Sequence, residues 1–228
     1  LHLLSRRQRQ MCIRDRYSEK IENTQLLGPG NRAVLWVYGC CFDCDGCIAY
    51  NFKNGTYRED TIDELANWFV DTPSDGITIS GGEPMLQAEA LALMVKKIRE
   101  HKDVGVIVYT GFLYEQLLKK ASDDNGVKLF LNEIDLLIDG PFIKELNDDK
   151  PYRGSSNQRC IPLTDRYLKS IKEYYSESQG RKVEIRIESN KTLMVGVPSK
   201  DQAEIWNNIK LLGSSESVSY THLRAHET

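Results

Sequence analysis

The sequence predicts an α/β fold built around a mostly parallel sheet, and three observations support it. Short apolar runs rich in β-formers alternate with stretches of helical periodicity. The spacing between successive runs leaves room for a crossover helix each time. The segments that follow the runs carry the unusual residue combinations, and they form the rim where parallel α/β sheets bind ligands, whether the sheet stays open or closes into a barrel.

The elements follow in order. AVLWVYG (33–39) is a short apolar run and reads as a strand. TIDELANWFV (61–70) places apolar residues at helical spacing, with Thr61 as N-cap and Glu64 three residues on, a capping box. GITIS (76–80) is a strand and AEALALMVKKIRE (88–100) a helix. VGVIVYT (104–110) is a strand followed by the helical FLYEQLLKK, and IDLLID (134–139) is a further strand. Beyond these the pattern predicts a helical stretch over 165–175, a hairpin of VEIRIE and TLMVGV around Asn190-Lys191, and a last helix near 200–212. Four distinctive sequences therefore share one rim. They are the cysteine cluster GCCFDCDGC, Gly81-Gly82-Glu83-Pro84, Thr110-Gly111 and Asp139-Gly140-Pro141.

A chain of 228 residues is long enough for one sizeable core. No uninterrupted apolar run reaches membrane length, and the basic N-terminal residues are not followed by the apolar stretch of a signal peptide. Six cysteines this unevenly placed do not suggest a secreted disulfide framework. They read as a metal site in a reducing cytoplasm.

The two ends have a common origin in DNA. MCIRDR (11–16) can be encoded by ATG TGT ATA AGA GAC AG, and the reverse complement of that element reads VSYTH (218–222) and leads into Leu223. Both ends resemble translated transposase adapter from a sequencing library. Residues 1–16 and 218–228 are accordingly expected to be non-native tails that add nothing to fold or function. The first tail carries five Arg and one Asp and the second is neutral, so setting both aside moves the net charge from −3 to −7 and argues against a nucleic-acid partner. The expected organisation is then a core over 17–160 and a C-terminal extension over 161–217.

The cysteine cluster allows three readings. A structural zinc site needs four ligands, usually as two separated pairs, yet outside the cluster the native chain offers only Cys160 and His101. A ferredoxin run places Cys41, Cys44 and Cys47 in its first three positions, but Asn51 and Phe52 stand where the fourth cysteine and proline belong. The third reading takes Cys40, Cys44 and Cys47 as CxxxCxxC. Three thiolates on a 4Fe–4S cubane leave one iron open to a substrate.

CxxxCxxC after the first strand and GGEP after the second resemble the radical S-adenosylmethionine enzymes. GPGNR (28–32) resembles the GPGxR stretch of those that activate glycyl-radical proteins. VYTG (108–111), LIDG (137–140) and RGSSNQ (153–158) resemble the branch that serves anaerobic ribonucleotide reductase. The resemblance covers residues 27–159. Gly46 stands where the wider superfamily has an aromatic residue, as it does in that branch. Cys41 falls outside the family spacing and is taken as a non-ligand. The chain continues past RGSSNQ, where the smallest such proteins end.

The resemblance implies a partial (β/α) barrel with a small C-terminal hairpin and helix. It implies an anaerobic oxidoreductase with a 4Fe–4S cluster on Cys40, Cys44 and Cys47. It implies S-adenosylmethionine held by Gly46, Gly81, Gly82, Glu83, Thr110, Asp139, Arg153, Ser155 and Asn157, with catalysis borne by the cofactor. A glycyl-radical enzyme would be the partner and a flavodoxin or ferredoxin-type protein the reductant, with no nucleic acid or membrane involved. Gly81 and Gly82 are expected to let backbone approach the cofactor, so bulk at Gly82 would suppress activity and spare the cluster. The alternatives are a related enzyme acting on a small molecule, its mouth covered by the extension, and a non-catalytic iron–sulfur electron carrier. Residue by residue, plainer roles stand beside these. Gly81-Gly82 is also a strand-to-helix turn, Arg153 a surface cation, Cys160 a small partly buried residue, and Tyr174, Tyr175 and Trp206 packing residues.

Overall fold

A computed structural model describes residues 14–176, 180–187 and 191–212, without the side chains of 14, 174–176 and 207–212. Residues 1–13 and 213–228, the hairpin turn at Asn190 and the side chains of Tyr174 and Tyr175 lie outside the described residues.

Seven strands form one mixed sheet in the order β3-β1-β2-β4-β5-β6-β7. Its centre is the four apolar runs expected from sequence: β2 (Arg32–Val37), β4 (Gly76–Gly81), β5 (Gly105–Tyr109) and β6 (Leu136–Asp139). All three pairings among them are parallel, so their C-terminal ends share one rim. Both edges are antiparallel. On one side β1 (Arg14–Ile21) pairs with β2 and β3 (Arg58–Thr61), and on the other β7 (Arg159–Pro162) pairs with β6.

The strand β1 reaches back into the segment expected to be a tail. It begins at Arg14, and Arg14, Asp15 and Arg16 pair with Thr61, Asp60 and Glu59. Gln87 also brackets the Arg16 backbone, accepting from its N–H at 2.7 Å and donating to its carbonyl at 2.9 Å. A sheet edge recruits main chain, which every sequence supplies, so pairing extends into a segment whose side chains need not suit the place.

Helices cover one face of the sheet. They are α2 (Ile62–Val70), α3 (Ala88–Arg99), α4 (Tyr114–Asp123) and α5 (Asn125–Leu131), whereas the short α1 (Tyr50–Asn54), which closes the cysteine loop, buries Phe52 against Val34 and Trp36 on the other face. The α2 capping box forms as expected, with Thr61 accepting from the Glu64 N–H at 3.2 Å and Glu64 accepting from the Thr61 N–H at 2.7 Å. Alternate strand residues Leu35, Ile77, Ile79, Val106, Val108 and Leu137 meet Leu65, Phe69, Leu91, Met94 and Phe130 in one buried core.

The opposite face is covered by the C-terminal extension. A hairpin of β8 (Val183–Ile187) and β9 (Thr192–Gly196) buries Leu193 and Val195 against Val34, Trp36 and Leu27. Helix α6 (Leu168–Ser176) and the turn before it bring Ile171 and Tyr167 onto Ile107, Leu136 and Ile138. The last helix is α7 (Lys200–Leu212). The extension thus shares the sheet with the core. At the far end of the strands Arg32, the last residue of GPGNR, is 1% exposed. It donates to Thr78, Pro29, Tyr167, Ile77 and Gly105, a set of hydroxyls and carbonyls that satisfies a buried guanidinium.

Candidate functional site

The rim of the four parallel strands opens onto a cavity of about 450 Å³. Cys40, Cys44 and Cys47 line it, together with Gly46, Gly81, Gly82, Glu83, Thr110 and Gly111. Cys41 is exposed and is not part of the wall.

The loop from 40 to 53 is held by its own polar contacts. The Phe42 N–H donates to Cys40 Sγ at 3.4 Å, and the Cys47 N–H to the Cys44 carbonyl at 3.3 Å. Lys53 Nζ donates to the Phe42 carbonyl at 2.7 Å and to Asp43 at 2.8 Å. The Phe42 ring packs edge-on against Phe112 beyond β5, with centroids 4.9 Å apart. Gly46 has φ +67°, a left-handed conformation that explains glycine immediately before Cys47. Burial pushes the Cys40 thiol up to about 11, with Glu83 and the neighbouring cysteines adding to the shift. A bound cation would reverse that tendency. Among the described residues no three ligating side chains converge on a point as they stand. Fit to a cluster rests on three thiols sharing one wall, with backbone N–H groups directed at the sulfurs of Cys40 and Cys47.

Beside this loop the GGEP turn is tightly built. Gly81 has φ +101°, and a Cβ at Gly82 would lie 2.0 Å from the Gly39 carbonyl oxygen. A side chain there displaces Gly39 and, with it, the adjoining Cys40. Glu83 is 1% exposed. Its carboxylate accepts from the Met85 N–H at 2.9 Å, the Thr110 hydroxyl at 2.8 Å and the Gly111 N–H at 2.8 Å, tying the loops after β4 and β5 together. Burial nevertheless pushes Glu83 up to about 7.

The remaining expected residues stand behind the wall. Asp139, fully buried, accepts from the Tyr114 N–H at 2.8 Å and pairs with Arg159. Arg153 donates to the Gln158 carbonyl and pairs with Asp148. Ser155 accepts from the Ile143 N–H at 3.1 Å, and Asn157 donates to the Pro141 carbonyl at 2.7 Å. These four brace the rim, and from RGSSNQ the cavity is reached by Gly154 and Gln158. Sequence reasoning missed Tyr109 and the far wall, where Leu193, Met194, Val197, Pro198 and Trp206 come from the extension. Trp206 is a cavity residue as well as a packing one, and Cys160 is partly buried against the α6 cluster as expected.

The comparisons agree with this geometry. A family described as a 4Fe-4S single cluster domain matches residues 26–161. The anaerobic ribonucleoside-triphosphate reductase-activating protein of Enterobacteria phage T4 is 33% identical over 147 residues, covering 60% of this chain and 88% of its own length. The protein of that name from Haemophilus influenzae is 36% identical over 141 residues, 58% of this chain and 87% of its own. A pyruvate formate-lyase-activating enzyme from Clostridium pasteurianum is 32% identical over 130 residues, 47% of this chain and 54% of its own. With its cysteine loop on the rim of a parallel sheet, the chain belongs to the 4Fe–4S single cluster domain family and, within it, to the activating enzymes of glycyl-radical proteins.

Proposed function

We propose that this protein is a radical S-adenosylmethionine enzyme that installs a glycyl radical on a partner such as anaerobic ribonucleotide reductase. A flavodoxin or ferredoxin-type reductant of the cytoplasm serves it. The observation that carries the reading is the placement of Cys40, Cys44 and Cys47, without Cys41, on the same cavity wall as the Gly81-Gly82-Glu83 turn and Thr110. The rim of parallel strands is also what a partial barrel of the radical S-adenosylmethionine type requires.

A 4Fe–4S cluster, when bound by Cys40, Cys44 and Cys47 with one iron free of protein, would supply the electron for reductive cleavage of S-adenosylmethionine. Around it the chain has definite tasks. The three thiols hold the metal, and the N–H groups directed at two of them stabilise thiolate. Glu83 keeps the loops after β4 and β5 at fixed separation. Any amino group of a ligand would find backbone carbonyls at the rim, since the Glu83 oxygens already serve protein donors. Trp36, Phe52 and Trp206 dry the opposite wall, which protects a reactive intermediate from stray hydrogen donors.

The second reading, a small-molecule substrate, draws on the extension that walls the cavity. An electron carrier is the third. The deciding experiment measures 5′-deoxyadenosine and methionine after anaerobic reduction of reconstituted protein, with and without purified anaerobic ribonucleotide reductase. Formation of both products, with a glycyl radical signal on the reductase, is expected. A full cluster that yields no 5′-deoxyadenosine under either condition returns the protein to the electron carriers. Cys40→Ala, Cys44→Ala and Cys47→Ala should each lose iron and sulfide, and Cys41→Ala should keep them.

A further inference from the structure

The family match ends at residue 161, and one side chain from beyond it reaches back into the matched region. Arg181 stands just before β8 with its side chain almost wholly buried. It donates to the Lys150 carbonyl at 2.8 Å, to Asn147 Oδ1 at 2.8 Å, to the Pro198 carbonyl at 2.6 Å, and to the Arg153 carbonyl. Asn147, Lys150 and Arg153 lie in the loop between β6 and β7. They alternate there with Asp149 at φ +55° and Tyr152 at φ +60°, left-handed conformations that non-glycine residues keep only where their surroundings enforce them.

The Arg153 carbonyl matters most for the cavity. It shares one peptide unit with the Gly154 N–H. Arg181 holds the oxygen of that unit, and Gln158 Oε1 accepts from its N–H at 2.7 Å. Gln158 also accepts from the Ser155 N–H at 3.3 Å and donates to the Gly140 carbonyl at 2.8 Å. Gly154 and Gln158 are the residues by which RGSSNQ reaches the cavity, and a Cβ at Gly154 would stand 2.8 Å from the Phe142 ring. A ligand therefore meets a bare peptide clamped at both polar ends, with one clamp from each side of the family boundary.

We propose that Arg181 is a positioning residue for the ligand of this cavity. It fixes the 153–154 peptide unit, and with it Gln158, in the orientation that shapes the cavity wall. A guanidinium suits the task because its donors lie in one plane and reach several oxygens at once, which a single ammonium does less well. Without it the oxygen end of the peptide is released, the two left-handed residues lose the contacts around them, and the wall is free to turn. That the ligand is S-adenosylmethionine rests on the proposed function, whereas the clamp rests on the contacts of Arg181 and Gln158 alone.

Two measurements on the full chain test it. The first is hydrogen exchange at the Gly154 amide before cluster assembly, which needs no cofactor. Arg181→Ala should speed it at least about tenfold. The second is the affinity of the reconstituted, unreduced protein for S-adenosylmethionine, by equilibrium dialysis. Arg181→Ala should weaken it roughly tenfold with iron content unchanged, the scale of one lost hydrogen bond to a charged group. Arg181→Lys keeps the charge and reaches some of the same oxygens, so it should lose only about threefold. Arg186→Ala removes a different anchor of the extension, to Asn23 and Glu184, and should leave the affinity within about twofold. Because Arg181 and Gln158 hold one peptide unit, Arg181→Ala combined with Gln158→Ala should weaken binding less than the product of the two single effects. Thermal melts show whether each variant is folded; where Arg181→Ala is not, the smaller loss in Arg181→Lys carries the test. Unchanged exchange or unchanged affinity in the folded Arg181 variants, an equal loss in Arg186→Ala, or fully multiplicative effects with Gln158→Ala overturns the assignment. A wild type that carries a full cluster and binds no S-adenosylmethionine removes the proposed function, and exchange at Gly154 then decides the clamp by itself.

Discussion

The two antiparallel edges of the sheet each bury an aspartate, and the two differ in every other respect. On β6, at the C-terminal edge, Asp139 receives a backbone N–H and the Arg159 guanidinium, which Glu115 also holds. On β1, at the N-terminal edge, Asp15 is equally buried, yet among the described residues neither oxygen has a donor. Burial alone pushes Asp15 up to about 7. Both aspartates hold regular ladder positions, Asp15 opposite Asp60 and Asp139 opposite Arg159, and the irregularity of β1 between Tyr17 and Glu19 lies beyond Asp15, so local backbone pairing does not distinguish them. Side chains do. A buried carboxylate with matched donors stands at one edge and one without them at the other, and only the side chains around them separate the two.

Substitutions at the two edges can break or sharpen this contrast. The largest effect is expected at Asp15. Replacing it with Val should stabilise the protein at pH 8 by up to about 4 kcal/mol, the linkage value of a roughly three-unit rise. Urea unfolding measures it, and a loss of stability would show that Asp15 has partners in solution. The pH profile carries the sign. A carboxyl whose folded value lies above its unfolded one costs nothing below about pH 4, costs progressively more up to about pH 7, and costs a constant amount above that. Stability attributable to this edge should therefore fall as pH rises from 4 to 7, and Asp15→Asn should flatten that fall.

A smaller effect of the opposite direction belongs to Asp139. Asp139→Ala leaves the Tyr114 N–H and part of Arg159 unpaired and should cost about 2–3 kcal/mol, as expected for hydrogen bonds to a charged group. If both aspartates prove equally dispensable, the contrast is wrong. Thr61→Ala, at the end of β3, removes one side of a capping box and should cost about 1 kcal/mol in the same unfolding assay. The least effect is expected from Glu115→Ala, since the Glu115–Arg159 contact is exposed; no shift in unfolding midpoint should be resolved.

What the sequence disclosed follows the same division. The central strands were legible because β2, β4, β5 and β6 are buried on both faces over most of their length and are mostly apolar there. The edges RDRYSEKI, REDT and RCIP were not, because they contribute backbone more than side chains. The cysteines, Gly81, Gly82, Glu83 and Thr110 were legible as a site because each follows a parallel strand. Asp139, Arg153, Ser155 and Asn157 stand at the same rim but behind the cavity wall. Their type suits a polar ligand, but local hydrogen bonds to the rim use them first. The far wall was hidden because no local pattern links residues 193–206 to residues 40–47.

That separation along the chain has a consequence for how the protein is made. At synthesis rates of roughly 5–20 residues per second, the segment that supplies the far wall leaves the ribosome about 8–30 seconds after the cysteine loop. During that interval the loop, and the sheet that carries it, exist without their far wall. The wall is completed only when Arg181 reaches the carbonyls of Lys150, Arg153 and Pro198.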